Sequence, residues 1–148
     1  MTYASDAPPR HNKRRRYIAR FLPVVIVVLA VWVIANPRER FGWCCYALTT
    51  YNTIPRPIAD YQVRSDGKVR TVSKTHSISL ATVEWLLESR PQVLIIGTGW
   101  DGVAKTDATI AHIEDCQVRV LKTSEAIKLF NQLKSAGSAV SIHLHSTC

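Results

Sequence analysis

The sequence predicts an α/β fold: a small layered domain around a mixed β-sheet, preceded by a single N-terminal transmembrane helix. Three observations carry this expectation. Residues 21–35 (FLPVVIVVLAVWVIA) contain no charged side chain. From residue 59 onward, strand and helix patterns alternate in the order β-β-α-β-α-β-α-β, which is the order of an α/β sandwich. The chain has 148 residues, 47% of them hydrophobic, enough for one modest core. That excludes a large multidomain enzyme and a chain disordered throughout.

Charge supports the same division. The formal net charge is +8, a balance that ordinarily points to nucleic acid or an anionic membrane. Residues 1–56 hold nine basic and two acidic side chains, net +7, whereas the other 92 residues hold ten and nine, net +1. The domain has no basic excess, and no nucleic-acid partner is expected.

Residues 1–16 (MTYASDAPPRHNKRRR) read as a disordered basic tail, polar and without apolar periodicity. Residues 17–36 then offer about 20 positions, which at 1.5 Å per residue cross a hydrocarbon core of about 30 Å. Arg20 falls near the headgroups, its stem buried, and Pro23 in the first turn, where a missing N–H costs least. A cleaved signal peptide with an exported domain is the alternative, with Val33-Ile34-Ala35 as the cleavage site, although bulky Trp32, Val33 and Ile34 crowd it. Six basic residues lie on the N-terminal flank, from Arg10 to Arg20, whereas Arg38 and Arg40 follow the span. Retention of positive charge places the N-terminus in the cytoplasm and the C-terminal domain on the opposite, periplasmic side of the inner membrane. The KRRR run at 13–16 also touches anionic lipid.

Residues 37–58 read as a juxtamembrane linker. Its Phe41, Trp43, Tyr46 and Tyr51 form an interfacial belt or pack on the domain, and Pro55 and Pro57 mark the boundary. The domain, 59–148, opens with a hairpin in which 61–64 and 68–72 flank Ser65-Asp66-Gly67. Ser79 caps a helix over 80–88 that uses Leu80, Val83, Trp85, Leu86 and Leu87, and Arg90-Pro91 ends it. Residues 92–96 (QVLII) are a buried strand, 97–102 (GTGWDG) a glycine-rich turn and 107–115 a short helix. Gln117–Leu121 alternates as a strand. A helix then runs from Thr123, its N-cap, to Ala136, burying Ala126, Ile127, Phe130 and Leu133 and stopping at Gly137. Residues 139–144 form the last strand.

The sharpest chemical motif is GTGWDG, which matches G-x-G-x-x-G directly after a strand. Only 46 residues follow Gly102, too few for a dinucleotide fold, and QVRVL is followed by Lys122-Thr123 with no acidic residue for a ribose. Gly97, Thr98, Gly99, Asp101 and Gly102 therefore read as a tight strand exit, or as a loop whose N–H groups bind a small anion or a partner's carboxylate. His143 and His145 share one strand face. They read as a solvated or hydrogen-bonded pair, or, with Cys148 and His112, as a soft metal site. Of the cysteines, adjacent Cys44 and Cys45 are strained partners for each other. Export would allow a disulfide from either to Cys116 or Cys148, and a free buried thiol at Cys116 is the other reading. There is no G-x-S-x-G elbow and no paired carboxylate set, and Lys105 is misplaced for a P-loop. Nothing favours Asp101 or His112 as an acid or base. A non-enzyme without cofactors is expected.

Several features together resemble a known family. They are VLIIGTG (93–99), the strand ending in LKT (121–123), Ala126, Asn131 and Leu133 in EAIKLFNQL, and the apolar strand VSIHLH (140–145). The chain is similar to the Mth-type α/β domain family, which includes mitochondrial complex I (NADH:ubiquinone oxidoreductase) assembly factor 3 and the adipogenesis-associated Mth-type domain protein. The resemblance covers roughly 60% of the chain, counting weaker similarity back to about Ala59. It implies a small α/β domain with a mixed sheet and a non-catalytic role in assembling a membrane respiratory complex. It marks Gly97, Thr98, Gly99, Thr123 and Asn131 as family positions without giving them a chemical task. The combined expectation is a membrane-anchored accessory subunit or assembly factor whose partners are an integral membrane protein complex and membrane lipid. The alternative is a small anchored enzyme or ligand-binding domain that uses the GTGWDG loop.

Overall fold

A computed structural model describes residues 12–147, and of residues 12–16 and 19 the backbone alone. The chain falls into two units, one ending at Ala35 and the other starting at Asn36. Most of the expected basic tail lies outside the described residues, but residues 12–16 already belong to helix α1, Asn12–Ala35. Pro23 consequently sits inside this helix rather than in its first turn, where it removes one main-chain hydrogen bond. All valines, leucines and isoleucines of α1 are more than half exposed. Among the described residues no helix is long and apolar enough to cross a membrane. The uncharged stretch of 15 residues spans only about 22 Å at 1.5 Å per residue, short of a core of about 30 Å.

Residues 37–58, expected as a linker, are instead folded. β1 (Phe41–Cys45), β2 (Leu48–Tyr51) and β3 (Ile54–Pro57) form an antiparallel meander in the order β1-β2-β3. The reason is tertiary. Phe41 and Tyr51 are 2% and 1% exposed and pack on each other and on Phe130, with ring centroids 4.9–6.2 Å apart. Of the four linker aromatics, Trp43 and Tyr46 remain about 60% exposed.

The main sheet is built from β4 (Asp60–Val63), β5 (Val69–Val72), β7 (Val93–Gly97), β9 (Gln117–Leu121) and β10 (Val140–Leu144), in the order β5-β4-β10-β7-β9. β10 pairs antiparallel with β4 and parallel with β7, so the sheet is mixed, as expected. The β4–β5 hairpin turns at Gly67, whose φ of +86° explains the glycine. Two short strands, β6 (Ser77–Ile78) and β8 (Lys105–Thr106), pair in parallel.

Helices cover both faces. α2 (Leu80–Leu87) buries Val83 and Leu86 against Leu94, Ile96, Ile110 and Ile78. Leu80 stays 42% exposed, because it opens the helix on the solvent side. α3 (Thr123–Ser135) buries Ala126, Ile127 and Phe130 against Ile95, Val140, Ile142 and Leu144, and Leu133 packs at the edge. Its end is marked by Gly137 at φ +78°. The short helix expected over 107–115 is only a 3₁₀ turn, Ala108–His112, capped by the Asp107 side chain accepting from the Thr109 N–H at 3.1 Å.

Candidate functional site

β4 and β10 lie side by side, and each alternates apolar and polar residues. Tyr61, Val63, Val140, Ile142 and Leu144 face α3 and the meander. The alternate positions, Asp60, Gln62, Ser141, His143 and His145, face the other way, and all five have no exposed surface. The result is a polar ladder sealed inside the domain.

At one end of this ladder the Asp60 carboxylate accepts from His145 Nδ1 at 2.7 Å and from the Ser146 N–H at 2.9 Å. The His145 proton facing Asp60 therefore sits on Nδ1. In the middle, Gln62 donates from Nε2 to the Thr82 carbonyl and to His143 Nδ1 at 3.1 Å, while its Oε1 accepts from Arg70 Nε at 2.9 Å. A carbonyl needs a donor and a guanidinium is a donor, so the amide has one consistent orientation. His143 Nδ1 is then an acceptor, and the neutral ring carries its proton on Nε2. Burial pushes the His143 pKa down to about 4, with neighbouring His145 and Arg70 adding to the shift and Asp60 opposing it. Arg70 also stacks over Trp85, its guanidinium carbon 4.4 Å from the ring centroid. Among the described residues, the Nε2 atoms of both histidines are buried without a hydrogen-bond partner.

The glycine loop closes the same end of the sheet. A Cβ on Gly97 would lie 2.7 Å from Leu144 Cδ2 and 3.1 Å from Thr123 Oγ1, so its backbone needs the bare hydrogen. Thr98 donates its N–H to the Leu121 carbonyl at 2.9 Å, and Gly99 donates to Thr123 Oγ1 at 3.1 Å. Gly99 and Gly102 have φ of +104° and +78°, and Asp101 is exposed. The Thr98 and Gly99 N–H groups are thus directed inward, which leaves less of an anion cradle than the motif implied. Trp100 Nε1 donates to the Ser146 carbonyl at 3.2 Å, joining the loop to the ladder.

Thr123 was expected as the N-cap of α3, but that position is held by Lys122. Thr123 Oγ1 instead donates to the His145 carbonyl at 2.7 Å while accepting from Gly99. Asn131 clamps the meander. Its Oδ1 accepts from the Phe41 N–H at 2.9 Å, and its Nδ2 donates to the Phe41 carbonyl at 2.8 Å. Both positions thus acquire a structural task, holding separate elements together.

Cys44, Cys45 and Cys116 are free thiols, and Cys148 lies outside the described residues. Burial raises the Cys44 pKa to about 11 and lifts that of Cys116, which keeps both thiols protonated at neutral pH. Among the described residues no three His, Cys, Asp or Glu side chains gather to hold a metal ion. His112 is exposed in the 3₁₀ turn. A cleft of about 490 Å³ opens between Leu87, Arg90, Pro91, Ile113, Asp115 and Cys116. It includes no loop glycine and neither ladder histidine.

Sequence reasoning found the histidines, the loop, Thr123 and Asn131, but missed Asp60, Gln62 and Arg70. A signal for the first two was present. Asp60 and Gln62 alternate with Tyr61 and Val63 as the histidines do with Ile142 and Leu144.

The sequence pattern of a family described as proteins of unknown function (DUF498/DUF598) matches residues 29–145. A solved structure named MT938 is 31% identical, with a TM-score of 0.63, over 74% of this chain and 98% of that one. A conserved hypothetical protein from Pyrococcus horikoshii OT3 is 20% identical, with a TM-score of 0.64, over 74% of this chain and 99% of its own. An Mth938-like domain from Bordetella pertussis is 14% identical, with a TM-score of 0.52, over 73% of this chain and 85% of that one. The last two show the shared fold alone. With a family match across most of its length and a fold to agree, the chain belongs to the DUF498/DUF598 family and carries an Mth938-type domain.

Proposed function

We propose that the protein is a membrane-anchored, non-catalytic accessory or assembly protein, held by α1 and acting on an integral membrane protein complex through its domain. The observation that carries this is the exposed apolar surface of α1. A helix apolar on all sides is stable only where lipid or protein covers it. The uncharged run of 15 residues is by itself shorter than a bilayer core, so the inserted segment is Tyr17 to Asn36, about 20 positions, with Arg20 reaching the headgroups. The basic residues on its N-terminal flank favour a cytoplasmic N-terminus and a domain on the periplasmic side. The sealed ladder suits a scaffold, because most of its polar atoms are spent on one another and on the neighbouring backbone instead of on a cleft. The resemblance to a respiratory-complex assembly factor supports an electron-transport complex as the partner.

Alkaline carbonate extraction of native membranes tests the anchor. The protein stays in the membrane pellet if the proposal holds, and release into the supernatant rejects it. Copurification in mild detergent tests the partner, and recovery only as a free chain counts against an assembly role.

The alternative, a small ligand-binding domain or enzyme beside the GTGWDG loop, draws on the two buried unpartnered Nε2 atoms. A thermal-shift screen with nucleotides and small anions addresses it, with a Gly99→Val chain as the control.

A further inference from the structure

The meander has a second side. Its inner face presents Phe41, Cys44 and Tyr51 to the core. On the outer face the register aligns exposed Cys45 with half-buried Leu48 and Leu48 with exposed Pro57, whereas Thr50, opposite exposed Pro55, is itself fully buried. No charged residue occurs in this set. Trp43 precedes Cys45 by two and is 59% exposed, and Tyr46 and Ile58 at the adjoining turns are 60% and 64% exposed. Ile58 has φ +57°, a costly conformation for a β-branched residue that glycine or asparagine would adopt more cheaply. An apolar side chain therefore stands, at a conformational cost, on an exposed surface.

We propose that this outer face is a bilayer-interface surface, seated among anionic lipid headgroups with Trp43, Tyr46 and Ile58 as its anchors. The inference rests on the membrane anchoring of α1 proposed above. Three observations select lipid as the occupant. Only residues 36–40 separate α1 from β1, so a bilayer holding the helix is within reach of the meander. That connector carries exposed Arg38 and Arg40 against a single Glu39, a charge balance that suits anionic headgroups. The face and its adjoining turn carry exposed Trp43 and Tyr46, and amphipathic aromatic rings partition to the headgroup level.

The test uses the full chain in vesicles of phosphatidylcholine with phosphatidylglycerol. A nitroxide is placed on Cys45, with Cys116 and Cys148 changed to serine. Two further chains, with Cys45 also changed to serine, carry the label at Ser65→Cys, on the hairpin tip, and at Leu29→Cys, within α1. Accessibility to oxygen is compared with accessibility to a water-soluble nickel chelate. The expected result is an oxygen-to-nickel ratio several-fold higher at Cys45 than at Ser65→Cys. If Cys45 matches Ser65→Cys while Leu29→Cys reports lipid, the surface proposal falls and the anchor stands. If Leu29→Cys also reports water, the anchor reading falls and takes this one with it. A Cys45 label shielded from both reagents means the face is covered by protein, a second copy or a partner, and this also overturns the proposal. Should labelling disturb the meander, brominated-lipid quenching of tryptophan emission in a Trp32→Phe chain gives the same answer. The quenching must drop by at least half when Trp43→Phe is added, and unchanged quenching rejects the proposal.

Discussion

Neighbouring residues on β4 and β10 live in different chemical worlds. On one side, Tyr61, Val63, Val140, Ile142 and Leu144 meet the aromatic group of Phe41, Tyr51 and Phe130. On the other, Asp60, Gln62, Ser141, His143 and His145 hold one another and the loops around them. Both sides are equally buried. The first is non-directional and tolerates exchange of similar shapes. The second is directional, so each member matters through the partner it would strand. Strict alternation therefore does not mark one face as solvent-facing in this fold, because α2 and the loops cover the polar side.

Removing matter from the apolar side should have the largest effect. Phe130→Ala deletes a fully buried ring in contact with two others, and a loss of about 3–5 kcal/mol is expected in urea unfolding. On the polar side, Asp60→Ala strands the His145 Nδ1–H and the Ser146 N–H, for an expected loss of about 3–4 kcal/mol. If that loss were below a quarter of the Phe130→Ala loss, the ladder would not be the stabilising counterpart described here.

Acid distinguishes the two sides more sharply. His143 has a folded pKa of about 4 against 6.5 for a solvated imidazole, so the unfolded chain binds the proton first. Its contribution is complete above pH 6.5 and is lost as the pH falls toward 4, a change of about 3 kcal/mol. The groups facing it are Asp60, His145, Arg70 and Gln62. Unfolding free energies of the parent and of His143→Gln, compared from pH 7 down to pH 4, should converge by about this amount. A constant gap would show that the imidazole does not carry the acid sensitivity. The smallest effect belongs to the clamp between the domain's parts. Asn131→Ala frees the Phe41 N–H and carbonyl, costing about 1–2 kcal/mol, and hydrogen exchange should rise first in β1.

Much of the domain was legible from local signals. Asp66-Gly67 specified the hairpin, the 3–4 spacing of Ala126, Ile127, Phe130 and Leu133 specified α3, and Gly137 its end. Alternation along the last strand put the two histidines on one face, as the structure has them. The meander was not legible, since its strands are four or five residues long, interrupted by Pro55 and Pro57, and stabilised by a helix far along the chain. The helix expected over 107–115 failed for a related reason, with Ile110 alone buried to hold the turn.

Local sequence specifies the order of the main-sheet strands with α2 and α3, the turn at Gly67 and the uncharged run in α1, because each depends on residues a few positions apart. Tertiary structure decided which buried residues belong together. Phe41 and Asn131 are 90 positions apart, and Asp60 and His145 are 85 apart. No local pattern encodes such pairs. The second exists because the mixed sheet brings β4 beside β10, and the first because the meander packs on α3; with both faces covered, most polar groups left inside find their partners there.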